Sequence, residues 1–186
     1  MAARAGGRAR IVATLDVPAR ARSTVDAPGC HDEAMRISAK ADYAVRAAVE
    51  LASVQGSGPV TAEALATSQA IPRKFLEAIL SDMRRAGLVV SVRGSAGGYR
   101  LGPAAADVTV ADVIRAVEGP LVSVRDARPP DLAYTGSAAP LLELWIALRA
   151  SVRSVLDTVT LADLAAGALP EEVRRLAGPA EAWQNP

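Results

Sequence analysis

Six side chains in this sequence have the types and spacing of a polyanion reader: Ser68 and Gln69, then Arg73 and Lys74, then Arg93 and Arg100. Guanidinium and ammonium groups donate to phosphate oxygens and to guanine edges, while short hydroxyl and amide side chains supply further donors and acceptors at close range. Taken alone, Arg73 and Lys74 are explained equally well as a charged helix face in solvent. What separates the two readings is the set of elements around them.

From Ser38, a helix-capping residue type, Ala41, Ala44, Val45, Ala48, Leu51 and Ala52 recur at intervals of three and four as far as Gln55-Gly56, which predicts a first helix. Ser57-Gly58-Pro59 forms a turn, Val60 a short extended segment, and Thr61 caps a short second helix, Ala62 to Thr67. Ser68-Gln69-Ala70 then has about the three to four residues of a helix-turn-helix connection. Pro72 sits at the first position of the third helix, where a missing N–H costs nothing. Phe75, Leu76, Ile79, Leu80 and Met83 form its inward stripe, and Gly87 stops it in a left-handed conformation. Arg73 and Lys74 begin the opposite face, at the end of a recognition helix that enters a major groove.

Two short strands follow. Leu88 to Val92 is β-rich, Arg93 to Gly98 is a glycine-rich turn, and Tyr99-Arg100-Leu101 returns, so the segment reads as a wing carrying Arg93 and Arg100 to backbone phosphates. These glycines match neither the P-loop nor the dinucleotide-binding spacing, and no Lys-Ser/Thr follows them.

Composition agrees with that division of labour. The 186 residues carry a net charge of +1, but unevenly. Residues 1–34 hold five bases against four acids, residues 35–101 nine against five, and residues 102–186 seven against eleven. A basic block before an acidic one suits a nucleic-acid module joined to an association module. One Cys and one His supply neither a disulfide nor a self-contained zinc site. No run reaches the roughly 18 apolar residues of a membrane span, so no membrane partner is expected and the protein reads as cytoplasmic. No His falls in the predicted folded region and there is no nucleophile elbow, so no catalytic residue is assigned and no enzyme is expected.

Met35 to Arg46, Ile71 to Glu77, Arg85 to Val89, Arg93-Gly94 with Gly97 to Leu101, and Val117 to Pro120 together resemble the Rrf-two family of bacterial transcriptional regulators, in family order over about residues 35 to 160. The resemblance implies a homodimeric winged helix-turn-helix protein on a pseudo-palindromic duplex operator. It also implies that a long helix pairs the subunits.

The acidic block fits that implication. Thr109 caps a helix from Val110 to Glu118, ended by Gly119-Pro120, and residues 121 to 139 read as a loop. Leu141, Trp145, Leu148, Val152, Val155 and Val159 then follow at alternating spacings of four and three, an a/d stripe on a helix over 141–159. Such a stripe packs either on its own domain or on a second copy. Pairing is favoured here because a lone subunit would expose it. Thr160 to Ala166 reads as a short final helix.

Many members of the family hold an iron–sulfur cluster on three cysteines after the Glu-Gly-Pro sequence. Leu121 to Ala139 contains no Cys and no His, so neither metal nor cofactor is expected. Cys30 and His31 lie in an Ala- and Arg-rich stretch without period, residues 1–34, expected to be a disordered extension ahead of a start at Met35. The expected architecture is mainly α with a small β-hairpin wing: a winged helix-turn-helix over 35–102, a dimerisation region over 103–168 and a flexible tail over 169–186. The expected role is sequence-specific DNA binding by a repressor, with a small-molecule or protein effector unidentified. The alternative is a winged-helix protein-interaction module, distinguished by whether the chain binds duplex DNA in a salt-dependent way.

Overall fold

Four threonine and serine caps set where four of the helices of the computed structural model begin. The structure describes residues 37–184. The expected extension, the start at Met35, Cys30 and His31 lie outside these residues.

Ser38 accepts a hydrogen bond from the Ala41 N–H and opens α1 (Ala39–Ser53); Thr61 accepts from Ala64 N–H and opens α2 (Ala62–Gln69). α3 (Arg73–Arg85) follows Pro72, and Gly87 takes the left-handed φ of +77° that turns the chain into β1 (Val89–Val92). β2 (Gly98–Leu101) pairs antiparallel with β1, with Val89 opposite Leu101 and Val92 opposite Gly98. α4 (Val110–Glu118), α5 (Leu141–Leu156), α6 (Leu161–Ala166) and α7 (Glu171–Ala177) complete the order. The fold is mainly α with a two-stranded wing, as the sequence implied.

α1 is the central element and packs against α2, α3, α4, α6 and β2. Its buried positions, Ala41, Ala44, Ala47, Ala48, Leu51 and Ala52, are mostly alanine, whose short side chain lets several helices approach one axis closely. Leu65, Leu76, Ile79, Leu80, Met83, Val89 and Leu101 fill the remaining space, together with Val113, Val117 and Leu161 from the acidic half. A smaller cluster of Ala41, Val110, Ile114 and Val159 takes Leu169 and Val173 against it.

The wing is fastened at its base. Val60 and Tyr99 exchange backbone hydrogen bonds of 2.8 and 2.7 Å, which joins the α1–α2 connection to β2. A Cβ at Gly98 would collide with the Val60 carbonyl, so glycine is required where these backbones meet.

The structure corrects five expectations. Phe75 leaves the inward stripe: it is 55% exposed, because it lies about 90° around the helix from the centre of the stripe that Leu76, Ile79, Leu80 and Met83 form. Ser68 and Gln69 belong to the last turn of α2 and not to the connection, since Ala70 supplies the left-handed cap at φ +50°. α5 ends at Leu156, and Val159 is buried beside Ala41 and Val110 rather than lying on the α5 stripe. α6 is not the last helix. The tail expected over 169–186 carries α7, tied down by Leu169 and Val173.

Candidate nucleic-acid interface

Helical periodicity divides α3 into two faces. Leu76, Ile79, Leu80 and Met83 are buried, and Arg73, Lys74, Phe75, Glu77, Ala78, Arg84 and Arg85 are exposed. Sequence reasoning took only Arg73 and Lys74 from this face. Ala78, one turn beyond Lys74, follows from the same 3.6-residue period once the buried set is known.

Arg73 is already engaged. Its Nη1 lies 2.7 Å from Glu63 Oε2 on α2 and its Nε 3.0 Å from Glu77 Oε1 on its own helix. The hydrogen bond to Glu77, and the charges of both acids, raise its pKa further above the usual guanidinium range. Two of its donors must therefore change partner before a nucleic acid can have them. Lys74 makes no ion pair among the described residues and stands open to solvent.

Ser68 donates its hydroxyl back to Leu65 O at 3.3 Å, and Gln69 Nε2 donates to Glu50 Oε2 on α1 at 2.7 Å. Gln69 is half-buried, and its carbonyl accepts from Arg46. The Arg46 guanidinium also lies 5.5 Å from the Tyr43 ring centroid and 3.3 Å from Asp42 Oδ2. Gln69 thus braces α2 against α1 in this state. Arg93 and Arg100 are exposed on the wing, Arg100 donating to Leu101 O at 3.2 Å and Arg93 lying in the turn beside Gly94, φ +112°.

On the other side of α3, Lys40 Nζ sits 2.7 Å from Asp82 Oδ2 and donates to Val117 O at 2.7 Å, connecting α3 to the end of α4 through α1. Lys40 holds the Asp82 carboxyl below the usual carboxylate range, with burial opposing and Arg85 assisting. Asp157 shows the same direction: burial raises it, but hydrogen bonds from Arg153 and Arg115 prevail.

The segment between α4 and α5 is built around two consecutive left-handed residues, Arg125 (φ +52°) and Asp126 (φ +62°), closed by mutual hydrogen bonds of Val124 and Ala127. The Arg125 guanidinium lies 5.8 Å over the Tyr134 ring, and the Tyr134 hydroxyl accepts from Trp145 Nε1 at 3.1 Å. Along α5 no residue is fully buried. Trp145, Leu148, Val152 and Val155 are half-buried, whereas Leu141, Leu144 and Ile146 are 36%, 54% and 38% exposed.

A three-helix head with an exposed third helix and a hairpin wing defines a winged helix-turn-helix protein. A match to Rrf2, described as an iron-dependent transcriptional regulator family, spans residues 37–167. The HTH-type transcriptional regulator CymR of Bacillus subtilis is 39% identical over 131 residues, 70% of this chain and 90% of that one. A Mycobacterium tuberculosis protein, Rv1287, is 51% identical over 143 residues, 77% of this chain and 89% of its own. Among solved structures, CymR of B. subtilis, described as the global cysteine regulator, superposes with a TM-score of 0.62 at 38% identity, covering 73% of this chain and 99% of that one. IscR of T. potens superposes with a TM-score of 0.60 at 35% identity, over 75% and 91%. The chain belongs to the Rrf2 family. It is a DNA-binding transcriptional regulator and not an enzyme. No helix among the described residues is long and apolar enough to cross a membrane.

The iron in the family's description finds no thiolate and no imidazole ligand in the segment between α4 and α5. Residues 121–139 contain no Cys and no His, and no group of three metal-binding side chains occurs among the described residues. A thiolate-held cluster does not fit this segment.

Proposed function

We propose that the chain is a cytoplasmic homodimeric repressor that reads a pseudo-palindromic duplex operator without an iron–sulfur cluster. The observation that carries the dimer is α5: a 16-residue helix with no buried residue, which opens with exposed Leu141 and Leu144. A second copy of α5 covers that surface, and a two-fold axis then presents two recognition helices to half-sites about 34 Å apart.

In each half, the N-terminal turns of α3 lie in the major groove. Among the described residues Lys74 makes no ion pair there, and Arg73 joins it by exchanging carboxylate for DNA. Arg93 and Arg100 take phosphates from the wing, while Ser68 and Gln69 stand at the backbone edge of the groove. Bound to a promoter, the dimer excludes polymerase.

Anisotropy titration against the duplex upstream of the chain's own gene tests the proposal. The log–log dependence of affinity on salt should fall by about 0.9 for every phosphate neutralised, and footprints should come in pairs one helical turn apart. A single unpaired footprint, or binding that ignores salt, would sink it.

A further inference from the structure

The solvent face of α3 holds one apolar patch. Phe75 is 55% exposed, and Ala78, its i+3 neighbour, is exposed as well. The Phe75 ring is not loose: it meets Tyr43 of α1 edge-on, centroids 6.4 Å apart at 73°, and Tyr43 in turn carries the Arg46 guanidinium. An aromatic residue is therefore held from behind by the head's central helix while it stays exposed to solvent, beside Lys74.

Of the other exposed side chains on α3, Lys74, Arg84 and Arg85 suit phosphates and polar base edges, and the Glu77 carboxylate suits donors. They gain nothing from a hydrocarbon surface. The chain binds DNA, and the major groove offers apolar surface at one group, the C5 methyl of thymine. We propose that Phe75 and Ala78 read a thymine methyl in the operator, making them specificity-determining residues alongside the charged set. Phe75 supplies the contact area, and the short Ala78 side chain admits the base edge. The inference rests on α3 lying in the major groove, as proposed above.

The test begins with duplexes selected by the purified full chain from a random-sequence pool. Each thymine of a selected duplex is replaced singly by deoxyuridine, which keeps the pairing and the O4 acceptor and removes only the methyl. Unaltered protein should bind about three- to fivefold more weakly at one or more of these positions, the size of one buried methyl group. Phe75→Ala should bind the thymine and uracil duplexes equally, and Phe75→Leu, still apolar, should keep a penalty. If Phe75→Ala fails to fold, Phe75→Ser or Ala78→Gly replaces it, with helicity as the check.

Indifference of the unaltered protein to uracil at every position would overturn the inference. So would a full uracil penalty retained by Phe75→Ala. The underlying groove placement fails differently: Lys74→Ala would then select the same duplexes as the unaltered chain. If Lys74→Ala relaxes selection while uracil is tolerated, the methyl contact alone is wrong.

Discussion

Thr109 and Thr160 face one another across an antiparallel bridge, and each caps a helix in the same way. Val110 N–H donates to Val159 O and Leu161 N–H to Val108 O, both at 2.9 Å. Each threonine hydroxyl accepts from the N–H of the aspartate three residues on, Asp112 or Asp163, and each aspartate accepts in return from the threonine N–H. The start of α6 is thereby locked to the start of α4. Thr109→Ala should lower stability by about 1 kcal/mol, read as a lower urea midpoint at unchanged slope, with a loss of the same sign for Thr160→Ala.

Replacement of the exposed cations should separate two kinds of contact. Lys74→Ala should cost about 1–3 kcal/mol on the selected operator and relax its sequence preference. Arg73→Ala should cost less, because removing Arg73 also releases Glu63 and Glu77, which hold it in the free protein. Arg93→Ala should weaken binding to all duplexes alike and reduce the salt slope by about 0.9. Competition anisotropy with operator and random duplexes reads all three.

Stability should fall in acid partly through Asp82. Its carboxyl is held below the ordinary value of 3.8, first by the hydrogen bond from Lys40. A depressed folded-state pKa gives stabilisation that is complete above the unfolded value and is lost as pH drops through the folded one. Asp82→Asn should therefore be less stable than the unaltered chain at neutral pH. The gap should close below about pH 4, as the carboxylate of the unaltered chain protonates. Denaturant midpoints measured across pH 3 to 7 check the sign.

Leu144 offers a clean probe of self-association. It is 54% exposed on α5, so Leu144→Glu disturbs the packing of a single subunit little. Sedimentation equilibrium should show a dimer for the unaltered chain and a monomer, folded by circular dichroism, for the variant. A variant that remains dimeric would place the subunit contact elsewhere.

Protein purified without oxygen should lack the visible absorption of a thiolate-held cluster. Arg125 and Tyr134 of the segment between α4 and α5 pack together and onto Trp145 of α5, and none of these side chains is a ligand that such a cluster accepts. Brown protein with cluster bands would overturn that statement.

The helix starts were legible because capping is local: Ser38, Thr61 and Thr109 each accept from an N–H three residues on, so a short window of sequence contains the whole interaction. The wing was legible because strands and glycines alternate within a dozen residues. What the sequence hid was non-local or non-standard. Ala70 adopts a left-handed cap usually left to glycine, which moved the end of α2 past Ser68 and Gln69. Val159 continues a heptad by spacing alone, yet the chain leaves α5 after Leu156 and uses Val159 in the bridge to Val110. The Arg73–Glu63 pair joins two helices at ten residues' separation, which no periodicity announces.

The backbone link between Val60 and Tyr99 also bears on the calorimetry of recognition. Because the wing's base is stitched to the segment entering α2, the backbone of the reading head meets DNA already assembled. Little ordering entropy remains to be spent at the moment of contact. The heat-capacity change on binding should accordingly match the apolar surface covered, without the excess that accompanies coupled folding.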